Sequence, residues 1–375
     1  MNLFDVYPLY DITPVKGKGI HVYDDKNVEY LDLYGGHAVI SIGHSHPNYV
    51  QKIQEQVANL GFYSNAIQNP LQKELATKLG ELSGCDDYNL FLVNSGAEAN
   101  ENALKVASFV TNKSRVIAFK HSFHGRTSAA VAATDNPKIH APLNQQQSVT
   151  FVALEDEETI EAELKKGDVC AVIIEGIQGV GGLDVPTEHY LSYLSKKCKE
   201  HGALLILDEI QSGYGRTGKF FAYQYADINP DIITTAKGMG NGFPLGGVLI
   251  HSSIKAAYGM LGTTFGGNHL ACAAGISVLD TLKDEKLMEN VLQVSEYLVH
   301  ELSFIPKVKS IKGKGLMLGI TFDFPIKEIR AQLLHEHHIF TGASSNPNLL
   351  RILPPLCITK EQFDPFLLAL KEILS

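Results

Sequence analysis

The sequence predicts an α/β protein built around a mostly parallel, helix-covered sheet of seven strands. Seven short apolar runs rich in leucine and β-branched residues lack the alternation of half-exposed strands, which is typical of strands buried on both faces. Helical patterns such as YVQKIQEQVANLG alternate with these runs, so we expect crossover connections. In order, the runs are NLFLVNSG, SRVIAFKHS, SVTFVAL, VCAVIIEG, GALLILDE, PDIITTAKG and PLGGVLIHS.

Sequence patterns near both ends of the chain predict a second, smaller domain. Between Gly17 and Asn48, strand-like pieces flank a turn at residues 24–27, which favours a small antiparallel meander. After Gly267, a long helical stretch leads to a second group of strands and helices. We therefore expect a small α/β domain formed by residues 1–48 and 263–375, which include an interdomain helix, and a large ligand-binding domain of residues 49–262.

Composition narrows the class of protein. With 375 residues, 45% of them hydrophobic, the chain is typical of a soluble globular protein. A net charge of -9 and the absence of basic runs argue against nucleic acid or a membrane surface as partner. We see no secretory signal or membrane-spanning run. Five scattered cysteines without a CxxC pair favour reduced thiols in the cytoplasm, although a catalytic cysteine or a disulfide stays open.

Polar residues follow the apolar runs, where ligands bind in sheets of this kind. Ser95 and Gly96 open a helix, and such a turn either binds phosphate through free amides or merely caps the helix. The next run is followed by KHSFHGRT, which offers Phe123, His124 and Arg126. The sequence Asp208-Glu209-Ile210-Gln211 follows a later run.

Lys237 follows the run IITTA and precedes a glycine-rich loop. A lysine there is either a surface cation whose stem lies on apolar atoms or the partner of Asp208 in an ion pair. The combination of a phosphate-binding turn, an aromatic ring, a carboxylate and a desolvated lysine instead favours pyridoxal phosphate as cofactor.

Eight stretches of sequence carry a family resemblance: GHSHP, NSGAEANENALK, SFHGRT, EGIQGVGG, LILDEIQSGYGRTG, DIITTAKGMGNGFPLGG, TTFGGNHLACAAG and RILPPL. Through them the chain resembles, nearly end to end, the class III pyridoxal-phosphate aminotransferases of the ornithine and acetylornithine type. The resemblance implies fold type I, the cofactor pyridoxal 5'-phosphate and an aminotransferase reaction. It implies cofactor binding by Gly96, Ala97, Phe123, Asp208, Glu209, Ile210, Gln211, Lys237 and Thr264.

The resemblance also implies individual roles. Lys237 is the amine that binds the cofactor covalently and then moves a proton, and Asp208 keeps the cofactor's ring nitrogen protonated. Thr264 reaches the phosphate of a neighbouring subunit and Thr263 lies beside the substrate, which implies a homodimer with shared active sites. Arg126 and Arg351 match the substrate-binding arginines; a planar guanidinium suits a carboxylate, although a surface role stays open.

The implied reaction moves the terminal amino group of N-acetylornithine to 2-oxoglutarate, giving N-acetylglutamate 5-semialdehyde and glutamate. N-succinylornithine, ornithine, 4-aminobutyrate and an aminomutase reaction are the alternatives. Val180 stands where the family usually has a glutamate that neutralises the arginine matching Arg351. This departure raises N-succinylornithine as donor, while simple packing of Val180 against the cofactor loop stays open as the alternative. His37 stands where ornithine-specific members tend to have a tyrosine, which weakens ornithine itself.

Two other patterns do not support a rival class of protein. The stretch LLHEHHIF, with His335 and His338, lacks the HExxH spacing of a zinc site, so we expect no metal. The glycine-rich stretches do not match GxGxxG with an acid about 20 residues further on, which argues against a nicotinamide-dependent oxidoreductase.

Overall fold

The computed structural model describes all residues from Met1 to Ser375. Its strands are β1 (Pro14–Lys18), β2 (His21–Asp24), β3 (Glu29–Asp32), β4 (Tyr88–Val93), β5 (Arg115–Phe119), β6 (Val149–Val152), β7 (Val169–Glu175), β8 (Leu204–Asp208), β9 (Ile232–Thr235), β10 (Gly246–His251), β11 (Ser310–Lys314), β12 (Met317–Thr321), β13 (Ile339–Phe340), β14 (Gly342–Ala343) and β15 (Leu349–Ile352). Its helices are α1 (Gly35–Ala38), α2 (Pro47–Asn59), α3 (Pro70–Ser83), α4 (Gly96–Thr111), α5 (Ser128–Ala132), α6 (Glu157–Leu164), α7 (Glu188–His201), α8 (His269–Asp284), α9 (Leu287–Ser303), α10 (Lys327–His335) and α11 (Asp364–Leu374).

The large sheet has seven strands in the order β4-β10-β9-β8-β7-β5-β6. Strand β10 is antiparallel to both of its neighbours, and every other pair is parallel. Every residue of β5 and β7 is buried, as expected for strands covered on both faces. The predicted fold class, a mostly parallel seven-stranded sheet with helices, is confirmed.

The N-terminal strands form the predicted antiparallel meander. Asp24 closes its turn, because Oδ1 accepts hydrogen bonds from the amides of Lys26 (2.9 Å) and Val28 (2.8 Å). Strand β13, from the far end of the chain, pairs in parallel with β3 and extends this sheet. A third sheet has the order β11-β12-β15-β14. The two chain ends therefore share one sheet, while the division into domains at residues 48 and 262 stays a prediction.

The long helical stretch after Gly267 is two helices, α8 and α9. Lys286 separates them in a left-handed conformation with φ of 51°, which ends the hydrogen-bonding pattern of the first helix. Most of α8 is buried, and Gly275 permits its close packing, since a Cβ there would lie 2.9 Å from Leu245 and 3.0 Å from Leu75. The helical pattern of apolar residues continues across both helices, so the sequence alone does not show where the first one ends.

No helix in the structure combines the length and the apolar character needed to cross a membrane. The five cysteines are unpaired, four of them buried and Cys357 half-buried.

Candidate active site

A cavity of about 380 Å³ lies at the carboxyl ends of the parallel strands. It collects the residues that follow β4, β5, β7, β8 and β9, as expected for an open α/β sheet. Eight of the predicted site residues line it: Gly96, Ala97, Phe123, Arg126, Asp208, Ile210, Gln211 and Lys237. The sheet therefore brings together side chains that are up to 141 positions apart in the sequence, counting from Gly96 to Lys237.

The N-terminus of α4 forms one wall. Ser95 caps the helix by accepting a hydrogen bond from the amide of Glu98 (3.2 Å), and the amides of Gly96 and Ala97 have no acceptor within the helix. Ile210 packs so closely that a Cβ on Gly96 would lie 2.8 Å from its side chain. Only glycine fits there, and the exposed amides together with the helix dipole favour an anion such as a phosphate.

Asp208 is buried at the end of β8 and oriented by three donors. Its Oδ2 accepts hydrogen bonds from Asn100 Nδ2 and His124 Nδ1, both at 2.7 Å, and its Oδ1 accepts one from the amide of Ile210 (3.1 Å). Thr234 Oγ1 in turn donates to Asn100 Oδ1 at 2.7 Å, which fixes the orientation of the amide. The carboxylate is therefore held in one position by its neighbours.

The orienting roles of Asn100 and His124 were not predicted. Both residues occur in stretches that follow apolar runs, but nothing in those stretches points to their partner. Asn100 stands three and four residues before Ala103 and Leu104, on the apolar face of the predicted helix, and this spacing was the available sequence signal because a buried asparagine needs hydrogen-bond partners.

Lys237 follows β9, is half-buried and lines the cavity. Its φ of 44° is a left-handed conformation that a lysine rarely adopts, and such conformations cluster at functional sites. Burial lowers the pKa of Lys237 to about 8, helped by the charge of Arg351 and opposed by the charges of Asp208 and Glu175. A neutral amine is therefore far more accessible here than on an ordinary lysine.

The loop after Lys237 must be glycine-rich for a steric reason. A Cβ on Gly240 would lie 2.1 Å from the carbonyl oxygen of Phe243, and Phe243 lines the cavity. The loop also holds the N-terminal segment, because Asn241 Oδ1 accepts the amide of Ser41 (2.8 Å) and Ser41 Oγ donates to the carbonyl of Gly238 (2.7 Å). This loop thus lines the cavity and also holds the N-terminal segment in place through Ser41.

Glu175, at the end of β7, is a cavity residue whose role was not predicted. Its Oε1 accepts the amide of Phe123 (3.0 Å) and its Oε2 accepts the amide of Gly179 (2.9 Å). Burial raises the pKa of this carboxyl above its ordinary value, and the charge of Asp208 adds to the effect. Glu175 thereby ties the segment of Phe123 to the loop that carries Val180. Its position directly after an apolar run was the available sequence signal.

Arg351 on β15 is buried and forms no ion pair. Its Nη1 donates to the carbonyl of Gly179 (2.9 Å) and lies 3.5 Å from Gln211 Oε1, and its buried Nε has no partner. Burial lowers the pKa of this guanidinium. The residue after Gly179 is Val180, which lines the cavity and offers no carboxylate. Arg126 is exposed at the cavity and is likewise free of ion pairs.

His37 lies beside the cavity in a left-handed conformation with φ of 68°. Its carbonyl accepts a hydrogen bond from Gln211 Nε2 (3.0 Å), and its ring Nε2 is 2.7 Å from the hydroxyl of Tyr34. Burial, followed by the charges of Arg351 and Lys237, lowers its pKa to about 4. The ring is therefore neutral at neutral pH and adds no further cation to the site.

Three predicted residues lie away from this cavity. The carboxylate of Glu209 faces the other way and accepts hydrogen bonds from Ser212 Oγ (2.6 Å) and the amide of Ala222 (2.9 Å). Thr263 and Thr264 lie in a loop after β10, where Thr264 is exposed. No group of three or more histidine, cysteine, aspartate or glutamate side chains comes together as a metal site, in the stretch from His335 to His338 or elsewhere.

Comparison with known proteins shows the family. The profile of the family described as aminotransferase class-III matches residues 6–374. The chain belongs to the class-III aminotransferases. An acetylornithine aminotransferase from Bacillus subtilis is 40% identical over 380 residues, covering 100% of this aminotransferase and 98% of the relative. One from Aquifex aeolicus is 38% identical over 380 residues, covering 99% of each.

Solved structures agree in fold with this aminotransferase. An ornithine aminotransferase from Toxoplasma gondii ME49 superposes with a TM-score of 0.90 at 29% identity, covering 98% of this chain and 91% of the other. A second Toxoplasma gondii structure, with a TM-score of 0.89 at 29% identity and covering 98% and 90% of the two chains, is described with partial occupancy of PLP at its active site. A Bacillus anthracis aminotransferase gives 0.89 at 25% identity, covering 99% and 95%.

Aminotransferases of this class depend on pyridoxal phosphate, and the cavity fits that group. The start of α4 suits the phosphate, because the free amides of Gly96 and Ala97 and the helix dipole favour an anion. A buried, oriented carboxylate, Asp208, suits the ring nitrogen, and the low-pKa amine of Lys237 suits the aldehyde. Groups suited to the phosphate, the ring nitrogen and the aldehyde therefore line one cavity.

Proposed function

We propose that this aminotransferase moves the terminal amino group of N-acetylornithine to 2-oxoglutarate, giving N-acetylglutamate 5-semialdehyde and glutamate. The choice of N-acetylornithine as donor rests on similarity to acetylornithine aminotransferases. The alignments cover 98% and 99% of these two relatives, so no domain of either lacks a counterpart in this chain. Two unpaired arginines at and beside the cavity, Arg126 and Arg351, support substrates that carry carboxylates.

The proposed mechanism assigns the steps to residues of this chain. Pyridoxal phosphate, when bound, supplies the electron-accepting ring that makes the carbon next to the amino group acidic. Gly96 and Ala97 would hold the phosphate through their amides, and Phe123 and Ile210, which also line the cavity, would hold the ring. Asp208, held by Asn100 and His124, keeps the ring nitrogen protonated.

Lys237 has two tasks in this proposal. Its neutral amine, favoured by a pKa of about 8, attaches the cofactor. The same amine would accept a proton from the substrate carbon and release it again during the transfer. Gln211, whose side-chain amide donates to the carbonyl of His37, would help to hold the cofactor.

A coupled assay tests the proposed function. The loaded enzyme is expected to convert N-acetylornithine and 2-oxoglutarate to glutamate, with no turnover when the 2-oxo acid is omitted. Faster turnover of ornithine or 4-aminobutyrate would overturn the choice of donor. Rearrangement of an amino acid without any 2-oxo acid would identify an aminomutase instead.

A second donor, N-succinylornithine, is favoured by one observation. Val180 lines the cavity next to Gly179, whose carbonyl accepts from Arg351, and no carboxylate pairs with this arginine. The guanidinium is therefore available to a substrate carboxylate at every stage of the reaction.

Introducing a carboxylate at this position tests that idea. Val180→Glu is expected to neutralise Arg351 and to lower kcat/KM for N-succinylornithine by about 10-fold or more, because a charged partner competes with the substrate. N-acetylornithine should lose less, and Val180→Leu is the control for side-chain size. Initial rates on both donors measure the effect; equal losses would contradict it.

We also propose a homodimer with shared active sites. Exposed aromatic side chains near the loop of Thr263 and Thr264 support an interface there, since Phe62, Tyr63 and Phe265 are 42%, 58% and 59% exposed. In this arrangement Thr264 contributes to the cofactor phosphate site of the partner subunit. Residues 1–48 and 263–375 are the proposed small domain, and unpaired thiols support a cytoplasmic protein.

Mixed dimers test whether Thr264 acts on the partner. Lys237→Ala and Thr264→Glu variants, each nearly inactive alone, are co-expressed so that mixed dimers form. A mixed dimer holds one intact site of two if Thr264 acts across the interface, so isolated mixed dimers should recover about half of the wild-type activity. No recovery, although mixed dimers are isolated by two affinity tags, would mean that Thr264 acts in its own subunit or not at all.

A further inference from the structure

Arg330 on α10 lies in a polar cluster beside the active site that no catalytic step uses. Its Nη2 donates to the carbonyl of Thr341 (3.2 Å) and to the hydroxyl of Tyr10 (3.3 Å). Its Nε is buried and has no partner, and it forms no ion pair. An arginine with an unpaired buried donor is costly, and a carboxylate is the group that best completes it.

The cluster is continuous with Arg351. Thr341 precedes β14, and Gly342 of that strand pairs with Arg351 on β15. The ring of Tyr34 and the stem of Arg351 both lie against Gly342, since a Cβ there would be 3.0 Å from the ring and 3.1 Å from Arg351 Cβ. Glycine at 342 thus lets the ring of Tyr34 pack against the stem of Arg351, and the charge of Arg330 acts on the Arg351 guanidinium.

The cluster is also connected to the catalytic cavity. The hydroxyl of Tyr34 is 2.7 Å from His37 Nε2, and the carbonyl of His37 is bound by Gln211, which lines the cavity. Hydrogen bonds through His37 and Gln211 therefore link the cluster to the lining of the cavity that contains Lys237.

No carboxylate of the chain is free to neutralise this region. Asp32, whose charge acts on Tyr34, is already bound by His44 Nε2 (2.8 Å) and by the amides of Tyr34 and Gly35. Both oxygens of Glu175 are likewise occupied by amides. Arg351 is 3% exposed, and the charge of Arg330 adds to burial in lowering its pKa. Two neighbouring cations without an acid favour an anionic ligand.

We propose that Arg330, with Tyr34 and Tyr10, forms a carboxylate subsite that recognises an acidic acyl group on the amino donor. The proposal rests on the proposed function, since it concerns the acyl end of an N-acylornithine. Arg126 and Arg351 are enough for the two carboxylates of 2-oxoglutarate, so a third arginine has no carboxylate to bind when the donor is N-acetylornithine. A donor with a dicarboxylic acyl group, such as N-succinylornithine, supplies it.

Selectivity is the first measurement. Arg330→Gln is expected to lower the ratio of kcat/KM for N-succinylornithine to that for N-acetylornithine by about 10- to 100-fold, because it removes a desolvated charge pair. Arg330→Lys, which keeps the charge and loses the planar fork, should recover part of the ratio. Lys327→Gln removes a positive charge from an exposed position of the same helix and is expected to leave the ratio unchanged.

Binding of an unreactive probe is the second measurement. N-succinylnorvaline lacks the terminal amine and cannot react, so calorimetric titration of the loaded enzyme reports binding alone. It should bind the wild type at least about 10-fold more tightly than N-acetylnorvaline does, and Arg330→Gln should abolish the difference.

The outcomes separate the subsite from the proposed function. An unchanged selectivity ratio, an equal loss on both donors or equal binding of the two probes would overturn the subsite while turnover of N-acylornithine stands. If neither donor is turned over, the proposed function fails. The probe titration then decides the subsite by itself.

Discussion

Replacing Lys237 with alanine is expected to abolish amino transfer, with kcat reduced by about 10⁴-fold or more, the upper range for loss of a general base. The same amine attaches the cofactor and moves the proton, so one substitution removes both functions. Lys237→Arg should be equally inactive, because a guanidinium keeps the charge but does not provide a neutral amine.

The measurement is the rate of glutamate formation together with the absorbance band of the lysine-bound cofactor. That band should be missing from both variants. Lys219→Ala, at an exposed position on the chain between β8 and β9, is the control and should keep the wild-type rate and spectrum. Retention of a tenth of the activity by Lys237→Ala would contradict the assignment.

The pKa of Lys237 adds a pH dependence to this prediction. Burial lowers the pKa from 10.5 to about 8, so the neutral, reactive form grows as the pH rises and predominates above about 8. The rate at which cofactor-free protein captures pyridoxal phosphate should therefore rise up to about pH 8 and then level off. A rate that continues to rise toward pH 10.5 would show an ordinary lysine.

Asp208→Asn is expected to produce the second largest loss, about 10²- to 10⁴-fold in kcat. An amide has nearly the same shape but no charge, so it does not keep the ring nitrogen of the cofactor protonated. The donors His124 Nδ1 and Asn100 Nδ2, both 2.7 Å away, would also lose an ionic acceptor.

A matched substitution separates this effect from a loss of stability. Asp231 lies just before β9, at the amino ends of the parallel strands and away from the cavity, where its carboxylate accepts a hydrogen bond from the amide of Leu205 (2.8 Å). Asp231→Asn keeps an acceptor and should leave kcat near the wild-type value. The thermal unfolding midpoint of both variants reports their folding. Equal kcat for Asp208→Asn and wild type, with folded protein, would show that the charge has no catalytic part.

The proposals for Val180 and Arg330 both depend on arginines that have no carboxylate partner, and their test variants change the local charge in different ways. Val180→Glu adds an acid to an unpaired cation, and Arg330→Gln removes a cation from an acid-free cluster. Both changes should disfavour the same acidic donor, although the two residues lie on different segments of the chain. Agreement between them would locate donor selectivity in the region between the Val180 loop and α10.

The amino-acid sequence by itself predicted the seven strands of the large sheet, the meander and the residues at the strand ends. These features depend on local properties: apolar runs without alternation, turn residues such as those at 24–27, and the polar residue that follows each run. The family resemblance added the cofactor and the roles of Lys237 and Asp208. The resemblance depends only on which motifs occur and in what order, and both can be read from the sequence without a structure.

Tertiary structure alone decided which way adjacent side chains face and what they touch. Asp208 and Glu209 are neighbours in sequence, yet Asp208 faces the cavity and Glu209 holds the 212–223 segment. The contacts of Asn100 and Glu175 also join residues far apart in the chain. The approach of Arg330 to Tyr34 and Arg351 depends on α10, β14 and β15 packing against the N-terminal segment. Local periodicity does not determine such packing, because burial of surfaces between distant segments fixes it.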